Sequence, residues 1–169
     1  MAIIEMGANH VGEIAALCNI AAPTYGIITN IGRAHLEGFG GIEGVIRGKS
    51  ELYHYLIQHD GVAFINSQNE ILDNMSKRFA DPVLYPSAGD FYHCTLLSAK
   101  PFVHLRSKTG LLIESQLIGE YNFENIASSL CIGSYFDVPE ASMKEAIEAY
   151  VPENNRSQIV KTASNLIIL

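Results

Sequence analysis

Along the chain, short apolar runs alternate with stretches whose apolar residues recur at helical spacing. Ala2-Ile3-Ile4 reads as a buried strand, and Gly26-Ile27-Ile28-Thr29-Asn30 as a second one running into a loop that contains glycine. From Glu43 to Gln58, residues Val45, Ile46, Leu52, Tyr53, Leu56 and Ile57 form one apolar stripe, which predicts a helix. Gly61-Val62-Ala63-Phe64-Ile65-Asn66 predicts another buried strand, and Ile71, Leu72, Met75 and Phe79 mark the next helix. This alternation implies an α/β fold, a mostly parallel sheet flanked by helices.

The rhythm changes after Pro82. Phe102-Val103-His104-Leu105 and Leu111-Leu112-Ile113 are β-type runs separated by Ser-Lys-Thr-Gly, which predicts a small antiparallel β insertion. Helices are expected near Phe123–Tyr135 and Pro139–Tyr150, and Leu166-Ile167-Ile168-Leu169 reads as a last strand. Strand-like runs at both ends predict a piece of a longer chain, because independent domains usually begin and end in polar segments.

Composition narrows the class. A chain of 169 residues suits one domain, and 48% hydrophobic against 17% charged residues excludes intrinsic disorder. A net charge of −7 without basic blocks speaks against nucleic-acid partners and anionic lipid. The apolar runs are strand-sized, so no membrane insertion is expected, and MAIIEMGANH lacks the basic start of a signal peptide. Cys18, Cys94 and Cys131 lack CxxC spacing and read as small core residues of a reducing, cytoplasmic compartment.

Four polar clusters follow strand patterns, at the sheet edge where α/β proteins bind ligands. In Glu5-Met6-Gly7-Ala8-Asn9-His10, Glu5 suits Mg²⁺ beside nucleotide phosphates, or else caps the next helix or makes a local ion pair. The segment 29–41 combines Gly32, Gly38, Gly40 and Gly41 with Asn30, Arg33, His35 and Glu37, letting backbone and polar groups approach a ligand. Lys49 borders the apolar stripe of its helix; such a lysine either snorkels to solvent or, if desolvated, loses its proton and becomes reactive. Asn122 and Asn125 share one face of a helix start, where amides could read a base edge or cap the helix. Arg156, in Asn154-Asn155-Arg156-Ser157-Gln158, suits a phosphate or a surface carboxylate.

EMGANHVGEI at 5–14, TNIGRAHLEGFGG at 29–41, KSEL from Lys49, GEYNFEN at 119–125 and NNRSQ at 154–158 occur in one order. In that order they resemble the central ATP-binding domain of the Mur ligases, over essentially residues 1–169. The wording EMGANHxGEI and AHLEGFG resembles most the branch that adds a D-Ala-D-Ala dipeptide; sister ligases typically carry Asp where this chain has Ala34. The resemblance implies a P-loop-NTPase-like fold and a bacterial, cytoplasmic, monomeric enzyme. Its implied reaction uses ATP and Mg²⁺ to phosphorylate the carboxylate of UDP-N-acetylmuramoyl-tripeptide, and the amine of D-Ala-D-Ala then displaces phosphate. It implies Glu5 at one Mg²⁺, His35 at a second, and Lys49 as a carbamylated lysine helping to hold the second ion. Asn122 and Asn125 fall at the nucleotide base, Arg156 near its phosphates, and Asn30 near substrate and ATP. No GxxGK[ST] phosphate loop occurs in the chain, although the family carries one upstream of the EMGANH strand. The expectation is therefore a middle-domain piece, lacking that loop and the flanking domains and inactive by itself. Three other readings stand beside it: a folylpolyglutamate-type ligase, a non-catalytic nucleotide-binding module and a metal-dependent hydrolase using His35 and Lys49.

Overall fold

The computed structural model describes residues 2–32, 36–152, 159–161 and 166–168. The chain folds as two compact units, Met1–Val83 and Leu84–Leu169, divided where the sequence rhythm changes after Pro82.

The first unit is built around two parallel strands, β1 (Tyr25–Ile27) and β2 (Val62–Asn66), paired from Tyr25↔Val62 to Ile27↔Phe64. Before them lies α1 (Glu13–Ala21); between them come a one-turn helix, α2 (Leu36–Phe39), and the long α3 (Ile42–Gln58). After β2 comes α4 (Glu70–Ser76), and β3 (Val83–Tyr85) follows β2 in the sheet order. The stripe expected from Glu43 to Gln58 is the buried face of α3: Val45, Tyr53 and Leu56 are almost wholly excluded from solvent, as are Ala63, Phe64 and Ile65 of β2. Gly26 lets α3 lie close on β1, since a Cβ there would stand 2.8 Å from a Leu56 methyl. Asn69 caps α4, its Oδ1 accepting from the Ile71 and Leu72 N–H groups, each at 3.2 Å.

Tyr53 locks the helix to the sheet. Its hydroxyl donates to the Phe64 carbonyl at 3.0 Å and accepts from the Ile28 N–H at 3.3 Å, with the Phe79 ring edge-on at 5.5 Å. Burial pushes its ionisation well above the usual phenol range, so the hydroxyl stays a donor. Replacing Tyr53 by Phe keeps the ring and strands two buried backbone groups, so we expect a loss of about 1–3 kcal/mol. Denaturant midpoints of wild type and variant measure it; coincident curves would mean that the bridge contributes nothing.

Ala2–Ile4 corrects the sequence reading, for it joins no ladder, and Ile3 and Ile4 are 91% and 58% exposed. An apolar run becomes a buried strand only where a neighbouring strand accepts its backbone bonds and a layer covers its face. Neither meets Ala2–Ile4 among the described residues.

The second unit holds the antiparallel insertion. Strands β4 (Thr95–Ala99), β5 (Phe102–Arg106) and β6 (Leu112–Ile118) run in that order, so the expected hairpin is a three-stranded meander. The Ser107–Gly110 turn closes β5 onto β6, with Gly110 at φ 92°, a conformation glycine adopts without strain. Helices α5 (Tyr121–Tyr135) and α6 (Glu140–Ala149) follow, close to their expected ranges, and β7 (Ile159–Lys161) pairs antiparallel with β8 (Leu166–Ile168). Val103, Leu105, Ile113, Leu130 and Cys131 form this unit's core. The open side of β6 is covered by α6: Glu148 accepts from the Glu114 N–H at 2.9 Å, and Lys144 donates to the Leu112 carbonyl at 2.8 Å. Pairing an edge in this way removes a template for aggregation. Cys18, Cys94 and Cys131 are all free and buried, as expected of core residues. Among the described residues, no helix is long and apolar enough to cross a membrane.

Candidate functional site

In the first unit, three of the four polar clusters converge on the loop that follows β1. The chain leaves β1 through Ile28 and reaches Asn30, which is exposed at the end of the strand. There Lys49, from the third turn of α3, donates to the Asn30 carbonyl at 2.8 Å and lies 3.3 Å from its Oδ1. The sequence thus places Lys49 and Asn30 19 residues apart, and the fold brings them into contact. Lys49 is half-buried, and burial alone pulls its pKa below the usual lysine range. Its amine is thus held at the end of β1 instead of extending freely into solvent.

The glycine-rich segment is seated on α3 by two glycines that the sequence reading passed over. A Cβ on Gly44 would collide with the Phe39 carbonyl, and one on Gly48 would stand 2.5 Å from the Phe39 ring. The spacing Gly44-x-x-x-Gly48 is the signal that could have disclosed this groove, since residues four apart share a helix face. Further along, Gly38 meets the first cluster: a Cβ there would lie 2.5 Å from the Asn9 carbonyl oxygen and 3.7 Å from His10 Nε2.

The Asn9–Gly12 loop is itself held by two carboxylates. Glu13 reaches back to accept from the Asn9 N–H at 2.7 Å and the His10 N–H at 3.2 Å, while its other oxygen meets His10 Nδ1 at 3.2 Å. These bonds, the Asn9 one foremost, hold its carboxyl below the ordinary range. Glu51 of α3 crosses to the start of α1, accepting from Gly12 N–H at 2.6 Å and Ala15 N–H at 2.9 Å. A carboxylate at a helix N-terminus satisfies donors that have no partner within the helix and complements its dipole. Capping, one of the alternatives for Glu5, is therefore done by Glu51, while Glu13 holds the loop before the helix and Glu5 is exposed. The role of Glu51 is not visible in local sequence, since it acts across 39 positions.

In the second unit, Asn122 is buried at the start of α5, donating to the Ile118 carbonyl at 2.8 Å and accepting from the Asn125 amide at 3.0 Å. It tethers the helix to the end of β6 and orients Asn125, which is exposed. Asn122 is not the capping residue; Glu120 occupies that position. His35, Arg33 and Arg156 lie outside the described residues. Among the described residues, no group of three His, Cys, Asp or Glu side chains is arranged to hold a metal ion.

The model of the Mur ligase middle domain matches residues 1–133. The UDP-N-acetylmuramoyl-tripeptide–D-alanyl-D-alanine ligase of Haemophilus influenzae is 30% identical over 177 residues, covering 99% of this chain and 37% of its own length. The Bacillus subtilis ligase of the same name is 25% identical, covering 100% of this chain and 37% of its own length. Among solved structures, MurF from Acinetobacter baumannii superposes with a TM-score of 0.82 at 26% identity, over 98% of this chain and 37% of that one. MurF ligase from Thermotoga maritima, solved in complex with ADP, gives 0.73 at 22% identity, a likeness of fold. The chain spans well under half the length of these relatives. With its middle-domain motifs and α/β fold accounted for from end to end of the match, the chain belongs to the Mur ligase family.

Proposed function

We propose that this chain is the ATP-binding middle segment of a bacterial cytoplasmic ligase that adds D-Ala-D-Ala to UDP-N-acetylmuramoyl-tripeptide, acting as a monomer. The observation that carries the reading is Lys49: a desolvated amine held by Asn30 at the end of β1, on the sheet edge where α/β enzymes bind ligands. The substrates follow the names of the H. influenzae and B. subtilis relatives, and nucleotide binding follows the ADP bound to the T. maritima relative.

The donor chemistry fits the groups the family uses. Glu5 exposes a hard oxygen ligand of the kind Mg²⁺ prefers. Lys49 as an ammonium would repel a cation; as a neutral amine it can take up CO₂ and present carbamate oxygens, and burial favours the neutral amine. His35 completes the proposed set from outside the described residues. ATP with Mg²⁺ would supply the phosphoryl group and offset the repulsion between two anions. Asn30 positions Lys49, Asn125 offers its exposed amide to the base with Asn122 holding it in place, and Arg156 is assigned to the phosphates.

The test is phosphate release by the full-length protein supplied with ATP, Mg²⁺ and UDP-N-acetylmuramoyl-tripeptide, with and without D-Ala-D-Ala. Release coupled one-to-one to a new amide is expected only with both substrates. Turnover on a pteroyl-glutamate acceptor instead, or hydrolysis without any nucleotide, would overturn the proposal.

A further inference from the structure

The geometry points to a second working group beside Lys49: the Glu13–His10 pair as acceptor of the proton from the incoming amine. The inference rests on the ligase reading above. Glu13, held ionised by the Asn9 and His10 N–H groups, lies 3.2 Å from His10 Nδ1. A carboxylate only accepts, so Nδ1 carries the hydrogen, which leaves Nε2 the ring atom able to take up a proton. Nε2 lies near Gly38 of α2, 3.7 Å from where a Cβ there would stand, and the imidazole side chain is 66% exposed. Because Gly38 has no side chain, nothing from that position covers the nitrogen. Phe39, the residue after Gly38, packs its ring against Gly48, the residue before Lys49 on α3, so the segment next to His10 is the one seated on α3 at Lys49.

The chemistry calls for such a group. A peptide's amine arrives as an ammonium, which has no lone pair to attack an acyl phosphate. One proton passes to His10 Nε2, and from this exposed ring to solvent. The freed nitrogen pair forms the C–N bond as the C–O bond to phosphate breaks, and phosphate leaves with that electron pair and takes the second nitrogen-bound proton. An imidazole oriented by a carboxylate is suited to this transfer, and such general bases contribute about 10²–10⁴-fold.

The test uses the full-length enzyme and two nucleophiles. With ATP and the UDP-tripeptide, hydroxylamine traps the acyl phosphate as a hydroxamate; being neutral at assay pH, it needs no base. His10→Ala and His10→Gln are expected to lower kcat with D-Ala-D-Ala by about 10²-fold while leaving hydroxamate formation unchanged. Glu13→Gln is expected to show the same split with a smaller loss. Equal loss with both nucleophiles would make the pair structural, and no loss with either would remove it from the reaction; each overturns the inference and leaves the ligase reading intact. A wild-type enzyme that forms no tripeptide-dependent hydroxamate would instead sink the ligase reading itself.

Discussion

Replacing Lys49 by alanine in the full-length enzyme is expected to reduce amide formation by about 10²–10³-fold, the usual cost of removing one preorganised electrostatic group. Burial lowers the Lys49 pKa, so the folded protein binds fewer protons there than the unfolded chain over the interval from that lowered value up to the usual lysine value. Across that interval stability rises with pH, because the cost of a desolvated ammonium is relieved as the proton leaves. The same bias would supply the neutral amine that the proposed carbamate consumes. Short-chain carboxylic acids should partly restore activity to Lys49→Ala by returning an anionic oxygen to the gap. Lys49→Arg should stay inactive, since a guanidinium keeps its charge and cannot take up CO₂. Full activity of Lys49→Ala, or wild-type activity of Lys49→Arg, would show that the amine is needed neither as a carbamate nor in its place beside Asn30.

The second large effect concerns the chain as it stands. Purified alone, these 169 residues are expected to give no ATP hydrolysis and no ligase product above background. Phosphate binding in P-loop enzymes rests on backbone N–H groups of a glycine-rich loop and on its lysine, and the sequence contains no GxxGK[ST]. What the chain does contain, Lys49 on Asn30 and the carboxylate-held loop at Asn9–Gly12, supplies neither that motif nor its lysine. Misplacing reactants by even an ångström costs orders of magnitude in rate. Phosphate release and product formation measured side by side decide it, and turnover at the rate of an ordinary ligase would refute the claim.

The sequence by itself determined α3, β2, the β5–β6 turn and the two helices that follow it, and the identity of most groups in play. Helical period placed α3 within a residue of its observed start, because one apolar stripe has only one face to bury. Ser-Lys-Thr-Gly fixed the β5–β6 turn, because Gly110 tolerates the left-handed backbone that the turn requires. Lys49, Asn30, Asn122 and Asn125 stood out because polar residues beside apolar patterns need a reason to be there.

Tertiary structure decided the rest, wherever the outcome depends on a partner distant in sequence. Ala2–Ile4 has the composition of a strand and is not one, since pairing belongs to the neighbour as much as to the run. Whether Lys49 would reach solvent or meet Asn30 turned on how closely α3 lies to the end of β1, which Tyr53 and the small residue Gly26 set together. Asn122 was equally able to cap a helix or face a ligand; the Ile118 carbonyl, fixed by the end of β6, claims its amide and leaves Asn125 exposed. Glu51 reads locally as one more charge on a helix, and only the packing of α1 on α3 makes it the group that holds the start of α1. Hydrogen bonds and burial are properties of pairs, so a local pattern can nominate one member while the fold chooses the other.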